Sequence, residues 1–170
     1  MTEKEFKIKV LPLSSQVYPM AKRLLITDDA AKDAIQLSML KLWENRRKLN
    51  ECDSVTAFVF RVVRNTCLDE IKRKKPVVVN DFLFAENRFS TQTQYEDKEA
   101  VVLVRQIVSE LPQGQREVLQ MRDIDGLEFN EISEILASDL PYIRVLLSRA
   151  RKAVKEKLGK IYAYEAVKQK

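Results

Sequence analysis

The sequence predicts an all-α protein: two small helical domains joined by a linker, the C-terminal one containing a helix-turn-helix. Three observations predict it. Only three glycines and five prolines stand among 170 residues, too few for the many corners of an all-β fold. Apolar residues recur at three- and four-residue spacings over most of the chain, the period of a helix with one buried face. Between the two periodic halves, residues 80–94 (NDFLFAENRFSTQTQ) show no clean period.

The elements follow in order. Ser14–Ile26 is weakly helical, and Pro19 inside it favours a break or a late start, because its ring removes a donor. Ala30–Arg46 is a strong helix with Asp28 and Asp29 as N-cap candidates. Residues 47–53 read as a loop, after which Asp53 or Ser54 caps a long helix to Lys75, ended by Pro76. Val77–Val79 is β-prone but too short to build on. Helical period resumes near Tyr95 and runs to Leu111, where Pro112 stops it. A short helix Gln115–Arg122, a turn at Asp123–Gly126, a helix Glu128–Leu136, a three-residue break and a helix Leu140–Leu158 complete the chain. The expected division is a domain at 1–75, an acidic flexible linker at 76–94 and a second domain at 95–170.

Charge follows the same division. Residues 1–75 carry 16 basic and 10 acidic side chains, 76–99 carry 2 and 5, and 100–170 carry 12 and 10. Two basic clusters, near 61–75 and 144–160, suit two contacts with a polyanion, although a solvated lysine-rich surface would look the same. Several chemistries lack their residues. With no histidine there is no histidine base, nucleophile pair or histidine metal ligand. Cys52 and Cys67 have neither metal-clip spacing nor the count of a disulfide framework, and read as reduced thiols, Cys67 in the core. The glycines never cluster into a phosphate-cradling loop, and Asp123-x-Asp125-Gly126 lacks most positions of a calcium loop and reads as a turn. No apolar run approaches a membrane span or a signal-peptide core. The expectation is a cytoplasmic, non-enzymatic protein without metal, cofactor, small-molecule substrate or membrane insertion.

Three helical wheels locate candidate surfaces. On the 30–46 helix, Ala31, Ile35, Met39 and Leu42 form a core stripe, while Asp33, Gln36, Leu37, Leu40 and Glu44 lie opposite. Two leucines there mean either a docking face for a protein partner or a helix buried on both sides of its own bundle. On the 54–75 helix, Phe60, Val63, Cys67 and Ile71 face inward, and Arg61, Asn65 and Lys72 share the other side beside Phe58 and Asp69, a set suited to nucleic acid. On the last helix, Ile143, Leu147, Ala150, Val154 and Leu158 form the core stripe. Arg144, Ser148, Arg149, Arg151, Lys152 and Lys155 take the opposite half, beside Tyr142 and Val145. Asp139 can cap this helix, and Pro141 fits its first turn. A short helix, a three-residue turn and a basic helix make a helix-turn-helix, whose second helix enters a major groove.

These residues carry a resemblance. Residues 110–158 resemble the region-4 domain of extracytoplasmic-function (ECF) sigma factors of the sigma-70 family, through Leu111, Pro112, Arg116, Val118, Leu119, Gly126, Glu131, Ile132, Glu134, Ile135, Leu136 and the Ser148-Arg149-Ala150-Arg151 run. Residues 29–75 are similar to the region-2 domain, through Ala31, Asp33, Gln36, Leu40 and Trp43 on one helix and Asn65, Asp69 and the Lys72–Lys75 basic run on the next. Arg144-Val145 followed by Leu147-Ser148-Arg149 resembles a variant common in Bacteroidetes members. The resemblance implies an alternative sigma factor that binds core RNA polymerase and directs promoter-specific initiation, with an anti-sigma factor as a further partner. It implies polymerase contact at Asp33, Gln36, Leu37 and Leu40, and contact with the −10 element at Arg61, Asn65, Lys72 and Arg73. It implies −35 reading from Tyr142 to Arg149, including Val145 and Ser148, with Arg144, Arg151, Lys152 and Lys155 on phosphates.

Four positions depart from the family pattern. Lys32 replaces an acid, Phe58 a tryptophan and Tyr142 a small polar residue, while Ser138 takes an aliphatic position and predicts a looser turn. The alternative reading is a free-standing helix-turn-helix regulator, which would need self-association; the sequence offers no obvious dimerisation coiled coil.

Overall fold

The computed structural model describes residues 1–73 and 95–168, and every regular element among them is helical. The expected linker lies outside the described residues.

The chain opens with a helix the apolar period does not reveal. Helix α1 (Glu3–Lys9) is started by a capping box: the Thr2 hydroxyl accepts from the Glu5 amide at 3.3 Å, and the Glu5 carboxylate accepts from the Thr2 amide at 2.8 Å. The Thr-x-x-Glu spacing was the signal available in the sequence. Helix α1 buries Phe6, whose ring meets Trp43 edge-on with centroids 5.1 Å apart.

Helix α2 (Leu13–Leu25) runs straight through Pro19, so the expected break does not occur. A proline in a helix interior costs about 3 kcal/mol. The stripe Leu13, Val17, Met20, Ala21 and Leu25 is buried along one side, and at about 1.5–3 kcal/mol per large apolar side chain its burial outweighs that cost. Ile26, at φ 72°, closes α2, and Thr27 at once caps helix α3 (Asp28–Glu44) by accepting from the Ala30 amide at 3.3 Å. The cap is therefore Thr27, not Asp28 or Asp29. Those acids occupy the first turn, where the helix dipole favours them. Lys22 pairs with Asp28, and with the Tyr18 hydroxyl it holds that carboxyl below its ordinary range.

A 3-10 turn at Lys48–Asn50 interrupts the following loop. Helix α4 (Val55–Arg73) then starts on the predicted cap, with the Ser54 hydroxyl accepting from the Ala57 amide at 3.1 Å. Ala57, Val59, Phe60, Val63, Thr66 and Cys67 are buried on it, against α2 and α3. Burial pushes the Cys67 thiol up to about 11. Ile71, expected in the stripe, is 37% exposed because it stands past the end of the bundle's core.

In the second half, helix α5 (Tyr95–Ser109) leads to helix α6 (Gln113–Leu119), which continues as a π-turn at Gln120–Ile124 and ends where Gly126 turns the chain at φ 73°. Helix α7 (Phe129–Leu136) is capped by Glu128 with Glu131 as its reciprocal partner. Helix α8 (Leu140–Lys168) runs ten residues beyond the predicted end. It packs on α5, α6 and α7 through Ile143, Leu146, Leu147 and Ala150.

The two halves touch. Helix α4 packs on α7 as well as on α2 and α3, so one apolar core runs from Phe6 to Ala150. Phe60 is 0% exposed at the centre of α4. Phe60→Ala is expected to lower the unfolding free energy by about 3–5 kcal/mol in a urea titration.

Candidate nucleic-acid and partner interfaces

On α3, the buried side is Ala31, Ala34, Ile35, Ser38 and Leu42, and the opposite side is open. Asp33 and Gln36 are exposed, as are Leu37 at 48% and Leu40 at 61%. Of the two readings the sequence allowed, the structure excludes a helix covered on both sides by its own bundle. Beside this face lies a shallow groove of about 150 Å³ between α3 and α4, bordered by Asp33, Leu37, Thr66, Glu70 and Arg73.

The α4 candidates divide. Asn65, Lys72 and Arg73 are exposed, with Arg73 held to Glu70 at 2.7 Å. Arg61 instead faces the other half of the protein. Its guanidinium lies 3.9 Å from a Glu134 oxygen on α7 and 5.1 Å from the centre of the Phe58 ring.

The α8 candidates sit together on one exposed surface at the start of that helix. Asp139 caps it as predicted, accepting from the Tyr142 amide at 3.3 Å. Tyr142 is 52% and Val145 43% exposed, and Arg144, Ser148, Arg149, Lys152 and Lys155 are all exposed. Arg144 is oriented by the Phe129 ring, 5.6 Å from its centroid, while Arg122 lies 5.0 Å from the same ring. Arg151 is already engaged, donating to both oxygens of Asp123 at 2.5 and 3.0 Å. Lys152 pairs loosely with Glu156 at 3.9 Å. Arg149 has no ion pair among the described residues.

The turn between α7 and α8 is tight despite Ser138. Ala137 takes the left-handed conformation at φ 49°. The Ser133 hydroxyl donates to the Ser138 carbonyl at 2.5 Å, the Ser138 amide donates back to the Ser133 carbonyl at 3.1 Å, and the Ser138 hydroxyl donates to Leu136 at 3.2 Å. Hydrogen bonds replace the missing aliphatic anchor, so the expected looseness is corrected.

Sequence reasoning missed the polar contacts across the junction of the halves. Arg64 on α4 donates to both oxygens of Glu117 on α6, at 3.0 and 3.2 Å, and both side chains are less than one-fifth exposed. Ser54, the cap of α4, donates to Glu131, the capping acid of α7, at 2.8 Å. Arg23 on α2 pairs with Asp125 in the turn after α6, whose side chain is 1% exposed. Burial raises the Asp125 carboxyl, and the Arg23 guanidinium opposes that rise. Glu131 and Glu134 stood out in the sequence only as parts of a helix pattern; nothing local marks them as contacts for α4.

Comparison with known proteins places both halves. Residues 10–77 match the family described as Sigma-70 region 2, and residues 102–154 match Sigma-70, region 4. Among curated relatives, the RNA polymerase sigma factor SigZ of Bacillus subtilis is 28% identical over 127 residues, covering 74% of this chain and 71% of that protein. The ECF RNA polymerase sigma factor SigW of the same organism is 24% identical over 159 residues, covering 84% and 83%. The ECF RNA polymerase sigma-E factor of Salmonella typhimurium is 25% identical over 168 residues, covering 92% and 87%. In fold, the chain is similar to the sigma factor RpoE crystallised with the anti-sigma factor NepR from Bartonella quintana, with a TM-score of 0.68 at 22% identity over 92% of this chain and 98% of that one. It is also similar to CnrH in complex with the cytosolic domain of CnrY, with a TM-score of 0.63 at 19% identity over 94% and 90%.

The exposed face of α8 depends on its cap. Asp139→Ala is expected to lower stability by about 1 kcal/mol in thermal or urea unfolding, with the loss concentrated in amide-exchange protection of the first turn of α8.

Proposed function

The chain belongs to the sigma-70 family, in its extracytoplasmic-function branch, and we infer from this that it acts as an alternative sigma factor, binding core RNA polymerase and directing it to promoters. The observation that carries the reading is the presence of region 2 and region 4 on one chain, in that order. A free-standing regulator needs only a helix-turn-helix and has no use for the first half.

Each surface then has a role. The open α3 face, with Asp33 and Gln36 beside Leu37 and Leu40, binds the polymerase, its two leucines being the apolar centre of a contact ringed by polar groups. Arg61, Asn65, Lys72 and Arg73 on α4 take the −10 element. The start of α8 enters the major groove at the −35 element, where Tyr142, Val145, Ser148 and Arg149 reach base edges and Arg144, Arg151, Lys152 and Lys155 hold phosphates. Lys32, exposed beside Asp33, adjusts the charge of the polymerase contact. A protein that joins core polymerase at a promoter works in the cytoplasm, where both partners are. It performs no catalysis of its own. The two structural relatives are complexed with a second protein, described as an anti-sigma factor for NepR, and we assign this chain such a partner as well. Residues 76–94 serve as the tether between the domains.

The deciding experiment is run-off transcription from bacterial core polymerase, with and without this protein, on a fragment library of its own genome. Protein-dependent transcripts are expected. DNA binding without any such transcripts would favour the free-standing regulator. Asp33→Ala with Gln36→Ala is expected to weaken core-polymerase binding at least several-fold while leaving the circular dichroism unchanged; equal affinity would remove the assignment of α3. On duplex DNA, Lys155→Ala is expected to reduce the slope of log affinity against log salt by about 0.9, the value for one lost phosphate contact. Arg151→Ala should reduce it by less, because Asp123 already holds that guanidinium.

A further inference from the structure

The outer face of α8 is basic at its borders and apolar at its centre. At about 100° per residue, Pro141, Val145 and Ser148 stand within roughly 30° of the line opposite the buried Ile143, Leu146, Leu147 and Ala150. Arg144 and Arg151 form one border of that face, and Tyr142 and Arg149 the other. The first border is drawn away from the centre, toward the elements on which α8 packs. The Arg144 guanidinium lies 5.6 Å from the centroid of the Phe129 ring on α7, and Arg151 donates to both oxygens of Asp123 in the π-turn after α6. At the centre, neither Pro141 nor Val145 has a side-chain group that can donate or accept. Val145 is nevertheless 43% exposed, and Tyr142, three residues earlier and its neighbour on the helix surface, is 52% exposed.

A helix laid in the major groove turns the middle of its outer face to the base edges and its borders to the phosphates. Almost everything a base pair shows in that groove is a donor or an acceptor; the exception is the C5 methyl group of thymine. Valine can pair with none of the donors and acceptors, and against them it would only displace water. We propose that Val145, walled on one side by the ring of Tyr142, reads the C5 methyl of a thymine, so that the duplex bound by α8 carries a T·A pair at that step. Selectivity there comes from burying one methyl group rather than from hydrogen bonds, and 5-methylcytosine satisfies it as well as thymine does. The basic borders hold the duplex against this apolar centre. The assignment rests on the reading of α8 as the helix that enters the major groove.

The test begins with duplexes selected from a random-sequence library by the full-length protein, alone and with core polymerase. Thymine is expected at one fixed position, and Val145→Ala is expected to erase that preference. In a selected duplex the thymine is then replaced by deoxyuridine, which removes the methyl and keeps every hydrogen-bonding group. Affinity should fall about fourfold, the worth of one buried methyl group, while the same replacement outside the site changes nothing. Val145→Ala should bind the two duplexes equally, and Val145→Ile should keep the difference. Tyr142→Phe should also keep it, whereas Tyr142→Ser should reduce it. With guanine opposite, 5-methylcytosine at this position should bind about fourfold tighter than cytosine. Each comparison is a ratio within one variant, so a change in the folded fraction cancels.

Equal binding of the thymine and deoxyuridine duplexes by the unaltered protein would overturn the proposal. So would a difference that survives in Val145→Ala. A loss in Tyr142→Phe as large as that in Tyr142→Ser would overturn the part given to the ring, since the hydroxyl would then be the contact. If no duplex is selected, with or without polymerase, the reading of α8 as a DNA-binding helix falls and the methyl reader falls with it. Methyl-dependent binding without any run-off transcripts would reject the sigma-factor reading and leave the methyl reader standing.

Discussion

Helix α4 must pack in three directions, against α2, α3 and α7, and the arrangement of the whole protein depends on how it does so. Its small and apolar residues, Ala57, Val59, Phe60, Val63 and Cys67, are all 0% exposed, and they leave it little surface for anything else. What remains is a narrow strip carrying Phe58, Asn65, Asp69 and Lys72, with arginines along one border. A helix packed on so many sides cannot present a broad binding face, so the docking of its neighbours governs what α4 can reach.

The contacts that close the junction are of a kind that holds position without adding much net stability. Arginine and carboxylate must both give up water to pair, and that cost cancels much of their attraction. Breaking one partner is expensive, because it leaves the other charge buried and unpaired. Arg64 and Glu117, each under one-fifth exposed, and Arg23 with the fully enclosed Asp125 both fit this description. A junction of this type fixes how the two halves dock while adding little to the stability of either.

The second half uses different means to hold its recognition helix rigid. The π-turn after α6 adds a residue to the helical turn, and Asp123 within it and Asp125 just after it face opposite partners. Asp125 reaches back to α2, while Asp123 reaches forward to Arg151 on α8. Phe129 serves two arginines at once, Arg122 and Arg144, which restricts the direction of both guanidinium groups. At the turn itself, three hydrogen bonds around Ser133 and Ser138 stand in for apolar packing. Each device reduces the conformational freedom of the exposed basic face of α8.

The helical class, the order and most boundaries of the helices, and the outward side of α8 were all legible in the amino-acid sequence, which left open whether the second side of α3 was covered. Those features are local: a 3.6-residue apolar period, caps such as Ser54 and Asp139, and prolines at helix ends act over a few residues and leave a trace at fixed spacing. Helix α1 left such a trace in Thr2 and Glu5, but it is too short for its apolar period to register. The passage of α2 through Pro19 was not legible, because the local penalty is overridden by burial against α3 and α4. Least legible was the junction. Arg23 and Asp125 are 102 positions apart, and Arg64 and Glu117 are 53; each looks like an ordinary surface charge on its own helix. That they meet is settled by the fold, because pairing across such distances depends on how whole helices dock, and no spacing along the chain records it.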